Sequence, residues 1–272
     1  MLAASAFPGT VEAITVDHGL RSDATAEAAM VGRFCVGLGV KHSIIAVTVR
    51  SGASVQAAAR EARYTALTSW CRANGMATLM TAHHADDQAE TLLMRLARGA
   101  GLSGLAGIRA VREQDGVRIV RPLLGWRKAE LGAIVEGVET VADPSNDDLR
   151  HDRTHVRRLL AAGDMLDPHR VSAAAAHLAD ADEALEWMTA EAIRSRCECG
   201  ADGVILADVE GLPRELRRRI LARLIDMADS ATDGPTLDRA MESIEAGRKT
   251  SISGLLITPG RRVRLEKAPE RR

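Results

Sequence analysis

Four short apolar runs punctuate the first half of the chain: VEAITV at 11–16, SIIAVTV at 43–49, MATLMTA at 76–82 and GVRIV at 116–120, each bounded by polar residues or glycine. Runs of this length, rich in β-branched residues and closed by turn formers, predict buried strands. Between them, residues 23–38 and 54–74 carry alanine- and leucine-rich patterns of helical length. The order strand, helix, strand, helix, strand, helix predicts an α/β fold on a doubly wound parallel sheet. A further helix is expected over about 127–136, ahead of the loop-forming ADPSNDD at 142–148. After residue 160 the pattern turns to helices alone, VSAAAAHLADADEALEWMTAEAIRS, LPRELRRRILARLIDMA and PTLDRAMESIEAG, and then to a hairpin, SISGLLITPGRRVRLE. Two domains follow from this reading: an α/β domain over 1–162 and a smaller, mainly helical one over 163–272.

The densest polar cluster is TAHHADDQAE at 81–90. On a helix starting near Asp86, Ala85, Ala89, Leu92, Leu93 and Leu96 share one apolar stripe, while His83, Asp87, Glu90 and Met94 fall opposite. Acids also favour a first helical turn simply because they complement the helix dipole, which accounts for two of them but not for the neighbouring histidines. In open parallel sheets, ligands bind outside the carboxyl ends of the strands. Both His83 and the pair Asp17 and His18 follow predicted strands. Carboxylates at Asp87 and Glu90 could hold Mg²⁺ or receive a proton, and an imidazole beside them could donate to an oxyanion or phosphate. In SVQAAAREARY at 54–64, Gln56, Arg60, Arg63 and Tyr64 share a helix face. Its arginines are either ordinary solvated residues or phosphate ligands.

Composition narrows the class. Aromatic residues are only 2% of the 272 positions, so the core must be built from aliphatic side chains and alanine. The net charge of −1 hides an asymmetry: from Gly211 to Arg272 there are 14 Lys and Arg against 9 Asp and Glu. A basic end can hold a polyanion locally, or be only a solvated surface. Cys35, Cys71, Cys197 and Cys199 show neither CxxC pairing nor Cys/His ligand spacing, so reduced cytosolic thiols are expected; Cys197-Glu198-Cys199 leaves a soft-metal site open. No run approaches the length of a membrane span, and the start lacks a signal-peptide pattern, so a cytoplasmic protein is expected.

Five stretches, VDHGLRSDATAEA, SVQAAAREARYTAL, TAHHADDQAETLLMRLARGAGLSGLAGI, VRPLLGWRKAEL and ADPSNDD, occur in this order across about residues 11–160. Together they resemble the tRNA(Ile)-lysidine synthetases of the PP-loop ATP pyrophosphatase superfamily. The resemblance implies a ligase that uses ATP to adenylate the C2 oxygen of the wobble cytidine in the CAU anticodon of an isoleucine tRNA; the ε-amine of L-lysine then displaces AMP. It implies a catalytic and lysine-binding set of His83, Asp87 and Glu90, ATP contacts at Asp17, His18, Arg60 and Arg63, tRNA contacts at Arg150 and Arg153, and Mg²⁺ at Asp87 and Glu90. Oligomeric state is left open, a homodimer included.

The sequence departs from that family in two places. Thr154 follows Arg153 where the family carries Asn after Arg, and the SGGxDS loop that cradles pyrophosphate at a helix N-terminus is absent from the 272 residues. MLAASAFPG reads as the end of the helix that follows such a loop, so the expectation is a sheet lacking its first strand, from a start placed inside the first βα unit. Two readings therefore stand: the ligase, and a non-catalytic RNA-binding remnant that has lost its ATP loop. A sulfur-transferring thiolase of the same superfamily would need paired cysteines, and no CxxC is present.

Overall fold

The computed structural model describes residues 1–17, 24–47, 55–138, 140, 152–162, 165–228, 230 and 232–269. It divides into two compact units, Met1–Ala176 and His177–Arg272. Within the first run α1 (Leu2–Ala6), β1 (Glu12–Asp17), α2 (Ala24–Gly37), β2 (Lys41–Ala46), α3 (Val55–Ala73), β3 (Thr78–Met80), α4 (Ala85–Ala97), α5 (Leu102–Leu105), β4 (Val111–Gln114), β5 (Val117–Val120), α6 (Lys128–Ile134) and α7 (Asp152–Ala161). Helix α8 (Pro168–Arg196) carries the chain from this unit into the second.

The parallel sheet is in two pieces. β1 pairs in parallel with β2, in a register that sets Glu12 against Lys41, and Lys41 Nζ lies 3.0 Å from the Glu12 carboxylate. β3 pairs in parallel with β5, which pairs antiparallel with β4. The β4–β5 hairpin turns on Asp115 (φ 51°) and Gly116 (φ 75°), the left-handed pair that a tight hairpin demands. A groove of about 610 Å³ runs between Glu12–Ile14 of β1 and Thr78–Met80 of β3. Helix α3 packs on β1, β3 and β5, burying Tyr64, Leu67 and Cys71 against Leu79, Val117 and Ile119, with Ile14 and Val16 packed around them. The spacing of those three helix residues is the i, i+3, i+7 stripe of an amphipathic helix.

The second unit is not as purely helical as its sequence pattern predicts. Besides the end of α8 it holds α9 (Arg214–Met227) and α10 (Gly234–Glu245). It also contains β6 (Cys197–Cys199), β7 (Ile205–Ala207), β8 (Thr250–Ile252), β9 (Leu255–Thr258) and β10 (Val263–Lys267). These strands form one antiparallel sheet in the order β6-β7-β10-β9-β8, so the expected terminal hairpin is the edge of a larger sheet. Ile220, Leu224 and Ile225 of α9 and Leu237 and Met241 of α10 pack on Ile205, Ile257 and Leu265. Arg219 is buried, and its guanidinium is shared by Asp182 (2.6 Å), Glu186 (2.7 Å) and Glu215 (2.8 Å). Three acids compensate the desolvation of one buried cation. Among the described residues no helix is long and apolar enough to cross a membrane.

Candidate active site

After β3 the chain leaves the sheet at its carboxyl end. Thr81 N–H donates to the Val120 carbonyl (3.0 Å) and Ala85 N–H to that of Trp126 (2.8 Å), so the four residues before α4 are pinned at both ends. Helix α4 then opens on a reciprocal cap. The His84 N–H donates to Asp87 Oδ2 (3.1 Å), and the Asp87 N–H donates to His84 Nδ1 (3.3 Å). This satisfies two of the amides that every helix N-terminus leaves unpaired.

The three acids of ADDQAE have three different partners. Asp86 accepts from Arg127 Nε (3.2 Å) and from the Lys128 amide (2.7 Å), tying α4 to the start of α6. Asp87 caps His84 and also faces a cleft. Glu90 is buried, its side chain 4% exposed, and meets α7: Arg157 Nε donates to Oε1 at 2.6 Å, and Arg153 Nε stands 2.8 Å from Oε2. The second pair is an ion pair outside hydrogen-bonding alignment, and Oε2 is buried without a hydrogen bond.

The cleft holds about 500 Å³ and is lined by Arg60, Arg63, Thr81, Ala82, His83, Asp87, Thr91, Met94, Arg95, Arg98, Ile108 and Arg153. Among the described residues, five guanidiniums face one carboxylate, a field that concentrates anions. Arg95 is partly committed, since its Nη1 donates to the carbonyls of Gly104 (2.6 Å) and Gly107 (3.1 Å), and Arg98 pairs with Asp152. Arg63 has no hydrogen bond or ion pair among the described residues, and Arg60 stacks 5.2 Å from the centre of the Tyr64 ring. His83 Nδ1 lies 2.9 Å from Thr81 Oγ1. Burial lowers the His83 pKa from 6.5 to about 4: Asp87 opposes the shift, whereas Arg121, Arg60 and Arg63 reinforce it. The imidazole is therefore neutral at pH 7.

The structure thus brings His83, Asp87, Arg60, Arg63 and Arg153 to one cleft. Asp17 ends β1 and is not among the residues lining it. His18 and Arg150 lie outside the described residues, as does ADPSNDD. Glu90 was expected on the open face of α4 beside Asp87; it is turned instead into α7, because two arginines 63 and 67 positions later offer a buried carboxylate the compensation it requires. Asp87 and Glu90 have separate partners: one carboxylate caps His84 while the other faces two guanidiniums. Leu96, placed on the docking stripe by its spacing, is 54% exposed near the helix end, and Gln88 is buried in the stripe. Gln88 holds the Ile108 backbone at both groups, accepting from its N–H (2.6 Å) and donating to its carbonyl (3.1 Å).

A layer behind the arginines is formed by contacts that local sequence does not reveal. Tyr64 is buried, with Arg112 stacked 4.5 Å from its ring centre and Arg121 Nη2 3.5 Å from its hydroxyl. Burial raises the phenol pKa, but the Arg121 hydrogen bond and the fields of Arg60, Arg121 and Arg63 outweigh it and leave the pKa lowered. Tyr64 sits four residues after Arg60 on α3 and holds it by cation–π contact. An i, i+4 Arg and Tyr pair was visible in the sequence; its partners from β4 and beyond β5 were not.

Residues 2–162 match the PP-loop domain family. The chain is 45% identical over 247 residues to the tRNA(Ile)-lysidine synthase of Novosphingobium aromaticivorans, covering 89% of this chain and 76% of that protein. It is 40% identical over 279 residues to the tRNA(Ile)-lysidine synthase of Zymomonas mobilis subsp. mobilis, covering 99% and 84%. Among solved structures, the U34-tRNA thiolase of Methanococcus maripaludis superposes with a TM-score of 0.50 at 16% identity, over 61% of this chain and 60% of that one, a likeness of fold. The parallel strands, the arginine-lined cleft at their carboxyl ends and these relatives agree: the chain belongs to the tRNA(Ile)-lysidine synthase family of PP-loop proteins.

Proposed function

We propose that this cleft carries out the ATP-dependent joining of L-lysine to C2 of the wobble cytidine in a CAU-anticodon isoleucine tRNA. One observation carries the reading: among the described residues, five guanidiniums, a neutral imidazole and a single carboxylate line the same cleft at the end of β3. The guanidiniums suit phosphates, and the carboxylate suits a cationic amine. ATP fits this wall through Arg60 and Arg63, which are uncommitted to acids among the described residues.

In the first step the cytidine C2 oxygen bonds to the α-phosphorus of ATP and pyrophosphate leaves. In the second the lysine ε-nitrogen bonds to C2 and AMP leaves with the former C2 oxygen. Arg60 and Arg63 hold phosphate oxygens through both, and Asp87 orients the ε-ammonium. That ammonium must lose protons to react. His83 is a poor base in the empty cleft, and phosphates bound at Arg60 and Arg63 offset two of the fields that lower its pKa, bringing it closer to the range in which it accepts a proton. Mg²⁺ would enter with the phosphates of ATP. The reading places the protein in the cytoplasm, where ATP, lysine and tRNA meet.

The test is incubation of the chain with ATP, labelled L-lysine and an isoleucine tRNA transcript bearing CAU, followed by nucleoside mass spectrometry. The expected result is lysidine at the wobble position, with AMP and pyrophosphate released one for one. Tight tRNA binding with no lysine incorporated and no AMP formed would favour the RNA-binding remnant instead.

A further inference from the structure

We propose that Arg153 is a positioning residue which engages Glu90 in the empty protein and releases it when a phosphate enters the cleft, so that anion binding and lysine binding are coupled through one buried carboxylate. The inference rests on the reading of the cleft as a phosphate-and-lysine site, and adds to it an order of events.

The geometry has three parts. Glu90 lies on α4, three residues after Asp87, with its side chain 4% exposed. Arg153 and Arg157 reach it from α7 with side chains 44% and 34% exposed. Arg153 is also part of the cleft wall, beside Arg60, Arg63 and Asp87. It therefore stands where it can meet either a carboxylate behind the wall or a phosphate in front of it.

The two arginines are not equivalent. Arg157 donates a well-formed hydrogen bond to Oε1, whereas Arg153 is near Oε2 without donating to it, and that oxygen is left buried and unsatisfied. A buried charged acceptor without a donor is costly. The α-ammonium of lysine, whose ε-ammonium Asp87 orients, has three rotatable N–H groups and supplies what the fixed guanidinium at this position does not. Glu90 cannot serve a second cation well while Arg153 stands at Oε2. A phosphate does what lysine alone cannot, by giving Arg153 a bidentate partner and drawing it toward Arg60 and Arg63.

The device makes lysine affinity low in the empty cleft and higher once a phosphate is bound. By linkage the same factor must appear when the order of addition is reversed. The phosphate belongs either to ATP or to the tRNA backbone. Both have the chemistry Arg153 recognises, and the experiment separates them.

L-lysine is titrated calorimetrically into the full chain alone, with a non-hydrolysable ATP analogue, and with the CAU tRNA transcript. Each titration is run for the native protein, Arg153→Ala and Arg153→Lys. In the native protein the lysine Kd should fall roughly tenfold in at least one anion condition, a coupling of ordinary size. Arg153→Ala should bind lysine without any anion about as tightly as the native protein does with one, and should lose the coupling. Arg153→Lys, which keeps a cation but not the fork, should retain part of it. Equal lysine affinity for the native protein and Arg153→Ala in all three conditions overturns the inference while leaving the lysine site intact. Absence of lysine binding in every protein and condition overturns the reading of the cleft as well. Should Arg153→Ala fail to fold by circular dichroism, the native protein decides through reciprocity: saturating lysine must tighten the effective anion by the same factor, and its failure to do so overturns the coupling.

Discussion

Burial and three nearby guanidiniums hold His83 at a pKa of about 4, against 6.5 for the free side chain, with Asp87 only partly offsetting them. The sign of the stability effect follows from proton uptake. Between about pH 6.5 and 4 the unfolded chain binds a proton here that the folded chain refuses, so this residue's contribution falls as pH falls through that window and is fully present above it. His83→Gln removes the titration. Urea unfolding at pH 7 and pH 4.5 should show a smaller loss of stability on acidification for the variant than for the native protein; equal losses would place His83 in a less desolvated setting. Asp87→Asn is the complementary test of charge. The amide oxygen can still accept from the His84 N–H, so the cap persists and the melting temperature should stay within a few degrees, while single-turnover lysine transfer should fall about 100-fold or more. Near-native transfer would remove Asp87 from the reaction. The residue types of this site were legible in TAHHADDQAE. The division of labour among Asp86, Asp87 and Glu90 was not, because it depends on Arg127 and on Arg153 and Arg157, which local spacing cannot bring near.

The segment after α4 shows why an element can be conspicuous in sequence for reasons of packing. In RLARGAGLSGLAGI, Arg95 clasps the carbonyls of Gly104 and Gly107, and Gln88 clasps Ile108, so the segment is bolted to α4 and forms one side of the cleft. Gly107 has φ +68°, and a Cβ there would lie 2.5 Å from Gln88 Oε1. Gly107→Ala should therefore cost about 2 kcal/mol, read from the urea midpoint at unchanged m-value, since the turn is strained and Gln88 must give up its partners. A neutral outcome would mean that the segment relaxes independently of the helix. Elements of helical length were predicted within a few residues: 54–74 against Val55–Ala73, and 127–136 against Lys128–Ile134. Three short strands were not. β4, β6 and β7 are 4, 3 and 3 residues long, too brief for alternation to show, although Asp115-Gly116 was a readable hairpin signal for the first. Pairing partners distant in sequence, not local propensity, make such segments strands.

At the scale of the whole molecule, charge is divided between the ends of the chain, and the second unit keeps its buried cation satisfied internally through Asp182, Glu186 and Glu215. Its exposed Arg248, Lys249 and Lys267 have no ion-pair partner among the described residues. Replacing all three by alanine should weaken tRNA binding without altering the fold, and should lower the slope of log affinity against log salt by about one unit for each phosphate that is no longer neutralised. An unchanged affinity and slope would move the docking surface elsewhere. What the sequence determined by itself is what depends on neighbours in the chain: the alternation of strand and helix that sets the α/β class, the cap and acids at the head of α4, and the arginines spaced along one face of α3. What only the tertiary structure decided is what depends on closure between distant segments. It buries Glu90 against α7, stacks Arg112 and Arg60 on Tyr64, and leaves the parallel strands as two paired pieces. The physical reason is that a charge can be buried only where opposite charges or donors compensate it, and those partners are supplied by segments tens of residues away.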